Sequence, residues 1–223
     1  ALSDLRRSLA TVHLLTARLR QYSEWALGRS ILKRAIDDEH SLSLRRVHRA
    51  VLFMDIRGFT AWSERQSPEQ VVGMLNAFYQ VAEGALAGIA PIKLKYTADE
   101  VMAVFADAAQ AVTAGTRMLQ STRVLLGESG LAAGAGVHYG QVVEGVLGAQ
   151  DAKAYDFIGD TVNTAAHIEA ACKDLATDIL VSGETARLIP NFATRPAGEV
   201  HLRGKSHADR VFYLDGRSEN DLS

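Results

Sequence analysis

The stretch VLFMDIRGFT, residues 51–60, decides the fold, because it joins an apolar strand to a charged turn. Four apolar residues run directly into Asp55, and the chain then turns at Gly58. A carboxylate in an apolar setting is costly unless it is hydrogen-bonded, paired or bound to a metal. Asp55 is therefore either a solvated strand end or the ligand of a cation.

The composition is that of an ordinary globular protein. The chain has 223 residues, 48% hydrophobic and 22% charged, with a net charge of −2. With this net charge the protein has no excess of positive charge that would attract nucleic acid, so we expect no nucleic-acid partner. No apolar run is long enough to cross a bilayer, and no signal segment opens the chain. The single cysteine, Cys172, excludes an intrachain disulfide and suits a reducing compartment, so we expect a cytoplasmic domain.

Residues 1–47 differ from the rest and predict a helical signalling or coupling segment. Apolar side chains recur there at spacings of three and four, which is the pattern of a helix with one apolar face. The spacing fits either a short coiled coil or a helix docked on its own domain. The stripe consists of Leu5, Leu9, Val12, Leu15, Leu19 and Tyr22.

Residues 48–215 predict an α+β domain with a ferredoxin-like βαββαβ core and extra strands. Its first long helix starts with Ser67 as N-cap, Pro68 as first helical residue and Gln70 completing a capping box. The glycine-rich segment GLAAGAGVHYGQVVEGVLG predicts a β-hairpin whose glycines permit close approach. Residues 216–223 predict a disordered tail.

A second carboxylate is expected beside Asp55. In the predicted topology the first strand lies next to a hairpin whose turn carries Asp99. Two carboxylates and the backbone carbonyl of Ile56 are ligands that Mg²⁺ prefers. The turn at Gly58, with Phe59 and Thr60 behind it, exposes N–H groups that suit phosphate oxygens. The sequence therefore predicts a site for a metal and a phosphate, against the alternative of solvated strand ends.

Five segments in order carry a resemblance to a known family: VLFMDIRGFT, SPEQVVGMLNAFY, KYTADEVMAVF, GAGVHYGQVVEGVLG and YDFIGDTVNTAAHIE. Together they resemble the catalytic domain of class III nucleotidyl cyclases over about residues 48–215. The preceding RQYSEWALGRSIL resembles the helix that connects such domains to an upstream sensory or membrane module.

This resemblance implies a head-to-tail homodimer with active sites at the subunit interface. Asp55, Ile56 and Asp99 would hold two divalent cations, Mg²⁺ or Mn²⁺, in a two-metal displacement at the α-phosphorus of the substrate. The residues that recognise the purine would come from the other subunit, so two copies of one chain build two sites.

By resemblance, Lys95 and Asp156 recognise the purine, and their chemistry selects ATP. Lysine is a donor only and ionised aspartate an acceptor only. This pair matches the N1 acceptor and the 6-amino donor of adenine, whereas guanine reverses both groups. A site built for such bonds rejects the wrong base strongly.

The sequence departs from the family pattern at two positions, one in the catalytic machinery and one in the turn that carries Asp99. Asn163 matches the residue that orients the ribose, but His167 stands where the family has an arginine that stabilises the transition state. Histidine is charged only part of the time near neutral pH. Ala98 stands where the family has glycine before Asp99. The segment LRGKS resembles the family segment whose basic residue contacts the terminal phosphates. Lys205 is the first candidate for that residue and Arg203 the second.

The sequence thus predicts an adenylate cyclase that forms cyclic AMP and pyrophosphate. A catalytically weak or inactive nucleotide-binding regulatory domain is the alternative that His167 leaves open. A guanylate cyclase is the nearest enzymatic rival, and Lys95 and Asp156 argue against it.

Overall fold

The computed structural model describes residues 2–149, 152–201 and 208–214. Two compact units divide the chain: Ala1–Arg45 with Glu144–Asp156, and Arg46–Val143 with Phe157–Ser223. Among the described residues, no helix is both long enough and apolar enough to cross a membrane.

The first unit opens with two helices, α1 at Leu2–Leu27 and α2 at Arg29–Asp37, and a 3-10 turn at Glu39–Leu42. Gly28 separates the helices with φ of 86°, a left-handed conformation that glycine adopts readily. The predicted stripe stays 51–68% exposed, so the coiled-coil interpretation remains a prediction. Its members are Leu5, Leu9, Val12, Leu15, Leu19 and Tyr22.

The described strands form one eight-stranded sheet. The strands are β1 Arg45–Arg57, β2 Lys93–Thr97, β3 Glu100–Phe105, β4 Ala132–Ala149, β5 Ala152–Ile158, β6 Ile179–Ser182, β7 Thr194–His201 and β8 Ala208–Leu214. Their order is β2-β3-β1-β4-β6-β8-β7, and β5 pairs with β4. The first four are the ferredoxin-like core, in which β1 lies beside the β2–β3 hairpin. The predicted fold class is therefore confirmed.

Five helices accompany the sheet in the described part of the second unit: α3 Phe59–Ser63, α4 Pro68–Gly84, α5 Ala108–Gly127, α6 Asp160–Asp174 and α7 Gly183–Leu188. The α4 capping box is confirmed, since Ser67 Oγ accepts from Gln70 N–H and the Gln70 side chain accepts from Ser67 N–H. Phe78 and Ala82 from α4 pack with Met118 of α5 in one buried core on the sheet.

The predicted hairpin at the glycine-rich segment is wrong. Residues 132–149 form a single strand, β4, and the next strand, β5, begins at Ala152 and pairs with β4. The glycines of this segment serve close approach instead of reversal. A Cβ built on Gly136 would lie 2.2 Å from the backbone nitrogen of Glu169, so β4 and α6 touch backbone to backbone there.

The only cysteine of the sequence lies in this α6–β4 contact. Cys172 is 0% exposed, and its thiol donates to the carbonyl of Ala135 at 3.2 Å. Burial raises the pKa of this thiol to about 12. Cys172 is therefore a small packing residue.

A buried carboxylate ties together distant segments of the first unit. Glu144 on β4 is 0% exposed, and Arg45 donates to its Oε1 from Nε at 2.9 Å and from Nη2 at 2.6 Å. Arg34 of α2 lies 3.6 Å from the same oxygen, and its guanidinium is 5.7 Å from the ring centroid of Tyr155. Two cations compensate the burial of this charge.

Candidate active site

The candidate site forms where β1 ends beside the β2–β3 turn. Asp55 is opposite Glu100 in the β1–β3 ladder, which places Asp99 one residue further, in the turn. The Ile56 N–H donates to the carbonyl oxygen of Asp99 at 3.2 Å and to Oδ1 of Asp55 at 2.9 Å. One amide therefore links both predicted metal-binding aspartates.

The carboxyl groups of Asp55 and Asp99 repel each other at this junction. The pKa of Asp55 is raised from 3.8 to about 6, first by burial and then by the charge of Asp99. Closely spaced hard oxygen ligands of this kind suit Mg²⁺ or Mn²⁺. A divalent cation would relieve the repulsion, so the residues present fit the implied metals.

The protein supplies only part of a coordination shell. No group of three or more His, Cys, Asp or Glu side chains in the described ranges is arranged to hold a metal ion. Asp55 and Asp99 therefore need further oxygens, which the carbonyl of Ile56 and the phosphates of a nucleotide can supply. The Ile56 side chain is 2% exposed and belongs to the core, so the backbone alone is its contribution.

The turn before Asp99 is held in an unusual conformation. Ala98 has φ of 50°, in the left-handed region, and its carbonyl accepts a hydrogen bond from the hydroxyl of Tyr79 on α4. The sequence singled out Ala98 as a departure from glycine. The structure shows that this position uses the backbone region that glycine favours.

Glu169 is a charged group near the site that sequence reasoning missed. Its pKa is raised to about 7, first by burial and then by the charge of Asp55, while Arg57 acts in the opposite direction. The Arg57 guanidinium also donates to the carbonyl of Thr177 and contacts Asp178 at 3.4 Å. Helical spacing could have revealed Glu169, because it lies four residues after the buried Ala165.

The remaining predicted residues occupy separate elements. Lys95 is exposed on β2, at the edge of the described sheet, and Asp156 is half-buried on β5. Asn163 and His167 are both exposed, one helical turn apart on α6. Lys205 and Arg203 lie outside the described residues.

Phe59 and Thr60, the two predicted phosphate-binding residues after β1, differ in which of their atoms are accessible. Phe59 is 8% exposed and packs 5.8 Å from Trp62 between ring centroids, so its side chain belongs to the core. Thr60 is exposed. A phosphate group can therefore contact the backbone of Phe59 but not its side chain, and it can contact both the backbone and the side chain of Thr60.

A separate open cleft of about 590 Å³ lies in the second unit, lined by β4, the β5–α6 turn and residues of α7 and β8. His138 contributes to its wall but is 7% exposed and hydrogen-bonded through Nδ1 to Ser182 Oγ at 2.8 Å. His138 is therefore a packing residue at the edge of this cleft.

Residues 45–216 match the family described as the adenylate and guanylate cyclase catalytic domain. The chain belongs to this family. The resemblance that the five sequence segments carry is therefore confirmed, and the protein is a class III nucleotidyl cyclase domain.

Relatives of this cyclase domain include enzymes named for both purines. It is 30% identical over 179 residues to adenylate cyclase 1 of Rhizobium meliloti (strain 1021), covering 74% of this chain and 27% of that protein. It is 29% identical over 186 residues to the receptor-type guanylate cyclase Gyc76C of Drosophila melanogaster, covering 77% of this chain and 12% of that protein. The cyclase domain spans only 9% to 36% of the length of four adenylate cyclase relatives.

Solved structures show the same architecture. The adenylyl cyclase CyaB from P. aeruginosa superposes with a TM-score of 0.72 at 28% identity, covering 82% of this chain and all of that one. A bacterial light-regulated adenylyl cyclase superposes with a TM-score of 0.81 over 94% of this chain and 65% of that one. At 19% identity, the second likeness shows the fold alone.

Proposed function

We propose that this chain is an adenylate cyclase domain that converts ATP to 3′,5′-cyclic AMP and pyrophosphate at the interface of a homodimer. The observation that carries the proposal is the junction of Asp55 and Asp99, where one amide bonds both residues and the two carboxylates repel each other. An acidic pair of this geometry is suited to bind a cation that accompanies a polyphosphate.

The chemistry is an intramolecular displacement at phosphorus. The ribose 3′-oxygen loses its proton and attacks the α-phosphorus, and the bond to the oxygen of the β-phosphate breaks as pyrophosphate leaves. Divalent cations bound at Asp55 and Asp99 would supply charge neutralisation and a lowered pKa for the 3′-hydroxyl. The carboxylates of Asp55 and Asp99 would hold that positive charge at the junction of β1 and the β2–β3 turn.

Residues of the second subunit would hold the nucleoside. Lys95 donates to N1 of adenine, and Asp156 accepts from its 6-amino group. Asn163 orients the ribose, and a ring N–H of His167 donates to the charge that develops on the α-phosphate. Both α6 side chains are exposed in the single chain, which leaves them available to a partner.

The terminal phosphates require further cationic contacts. Lys205 and secondly Arg203 are proposed for this role on the sequence pattern LRGKS alone. Because each chain would contribute the aspartates to one site and the α6 residues to the other, a head-to-tail homodimer contains two complete sites.

The deciding experiment incubates the purified protein with ATP or GTP and Mn²⁺, and separates the products by chromatography. We expect cyclic AMP from ATP and at least about 10²-fold less cyclic GMP from GTP, since a site with mismatched buried polar groups rejects the wrong base. Cyclic GMP as the main product would overturn the choice of purine. Nucleotide binding without product would favour the regulatory-domain alternative.

His167→Arg is expected to raise the rate of cyclic AMP formation about tenfold or more. Arginine is permanently charged and offers a forked set of donors, whereas a histidine is shorter and has only two ring nitrogens. A lost preorganised donor typically lowers the rate by about 10²–10³. The measurement is kcat at saturating ATP.

His13→Arg is the matched control, because His13 is an exposed residue of α1 outside the proposed site. Its kcat should stay at the wild-type value. A clear fall in kcat for His167→Arg would show that the imidazole has a fitted role of its own.

A further inference from the structure

Ala98 adopts a backbone conformation that its side chain disfavours. Its φ is 50°, and for a residue with a Cβ the left-handed region costs roughly 1–2 kcal/mol relative to the right-handed one. Ala98 directly precedes Asp99, so a change in its backbone angles redirects the Asp99 carboxylate. Something must therefore stabilise this turn against its relaxed alternatives.

The structure contains a contact that opposes this strain. The hydroxyl of Tyr79, on α4, donates to the carbonyl of Ala98, and the Tyr79 ring stacks on Tyr96 of β2 with 4.3 Å between centroids. The ring stacking fixes where the hydroxyl points. Asp99 raises the pKa of the Tyr79 hydroxyl after the larger effect of burial, which places the carboxylate near the same group.

We propose that Tyr79 is a positioning residue that holds Ala98 in the left-handed conformation and thereby aims Asp99 at Asp55. A hydrogen bond of this kind contributes on the order of the strain that it opposes. The inference rests on the proposed metal site, since Asp99 is assumed to be a ligand. It assigns Tyr79 no contact with substrate or metal.

The inference requires an energetic coupling between positions 79 and 98. With alanine at 98, the native turn depends on the Tyr79 hydroxyl. With glycine at 98, the same φ is reached without a steric penalty, so the hydroxyl matters less. Tyr79→Phe should therefore be harmful in the natural background and nearly harmless beside Ala98→Gly.

The test compares Tyr79→Phe, Ala98→Gly and the double variant in two assays. The first measures Mn²⁺ binding to the nucleotide-free protein by electron paramagnetic resonance. The second measures the rate of cyclic AMP formation. Tyr79→Phe should weaken Mn²⁺ binding about tenfold and raise the Mn²⁺ concentration for half-maximal activity by a similar factor. The double variant should return to within about threefold of wild type. Asp99→Asn gives the baseline for binding that does not involve the site.

Two matched controls separate positioning from general stability. Ala176 has φ of 48° in the loop after α6, so Ala176→Gly relieves the same kind of strain away from the turn. Each glycine variant should raise Tm by a few degrees, but Ala176→Gly should not restore Mn²⁺ binding to Tyr79→Phe. Tyr96→Phe removes the other hydroxyl of the stacked pair, which interacts with Glu83 and not with the Ala98 carbonyl, and should bind Mn²⁺ as wild type does.

The outcomes distinguish this inference from the proposed function. Mn²⁺ binding that depends on Asp99 but is unchanged by Tyr79→Phe overturns the positioning role and leaves the cyclase site standing. Equal rescue by Ala176→Gly also overturns it, because the effect would then be one of stability. A wild-type protein without Asp99-dependent Mn²⁺ binding refutes the metal site itself and the positioning role with it.

Discussion

Asp55→Asn and Asp99→Asn are each expected to lower cyclic AMP formation at least about 10³-fold. Asparagine keeps the shape of the side chain and removes the charge that would hold the proposed cations. Metal-assisted charge stabilisation is worth several kcal/mol in the transition state, and each 1.36 kcal/mol is a factor of ten. The measurement is kcat with saturating ATP and Mn²⁺.

The same substitution at Asp55 should stabilise the metal-free fold near neutral pH. The pKa of Asp55 in the fold is about 6, above its ordinary 3.8, so folding favours the protonated form. That contribution is complete below pH 3.8 and is lost as the pH rises through about 6. Because asparagine is uncharged, Asp55→Asn escapes this loss and should raise Tm.

Loss of activity together with a higher Tm would be hard to explain as damage to the fold. Asp174→Asn, an exposed position at the end of α6, serves as the control and should change neither quantity by much. Activity retained in either Asp55→Asn or Asp99→Asn would refute the two-carboxylate site.

Gly136→Ala is expected to destabilise the protein by about 3 kcal/mol or more, at the upper end of the range for overpacking. The added Cβ would lie 2.2 Å from the backbone nitrogen of Glu169 and 2.7 Å from the carbonyl oxygen of Ala165. Backbone atoms cannot rotate away, so α6 must separate from β4. For a chain of this size, Tm should fall by roughly 6–12 °C or more, measured by thermal unfolding.

Gly73→Ala is the matched control, since Gly73 lies within α4 and an added Cβ meets nothing within 4 Å. Alanine is the better helix former by roughly 1 kcal/mol, so this variant should be slightly more stable than wild type. If Gly136→Ala unfolded at the wild-type temperature, the backbone contact between β4 and α6 would be in error.

The sequence predicts most of the fold because several local signals agree with one another. Ser67, Pro68 and Gln70 mark the start of α4, and the structure contains each predicted contact of that cap. The apolar run before Asp55 predicts β1, and alternation around Asp99 predicts the β2–β3 hairpin. The family segments then give the order of the core elements and the pairing that brings Asp55 and Asp99 together.

The errors and omissions arise where a residue type has more than one physical use. Glycine permits both chain reversal and close backbone approach, and at Gly136 the second use makes β4 one long strand instead of a hairpin. Glu169 was missed because an acidic residue in a helix is usually solvated, whereas here it is half-buried and interacts with Arg57. The use of Gly136 becomes visible only when α6 is placed on β4, whereas the helical spacing from Ala165 already pointed to Glu169.

The positioning of Asp99 by Tyr79 is also beyond the sequence. The two residues are separated by the C-terminal end of α4, the loop after it and β2, and nothing in the spacing indicates that the hydroxyl reaches the Ala98 carbonyl. The departure from glycine was visible, but its compensation by another residue required the three-dimensional contact.

Because Cys172 is buried, its reactivity can be used to measure local opening of the structure around α6. A thiol that is fully covered and has a pKa of about 12 does not react with an alkylating reagent while α6 stays on β4. The rate of labelling therefore reports how often that helix lifts, at a single chemically defined atom and without any engineered probe. The same rate, measured with and without added nucleotide, would reveal whether a nucleotide restrains the helix that carries Asn163 and His167.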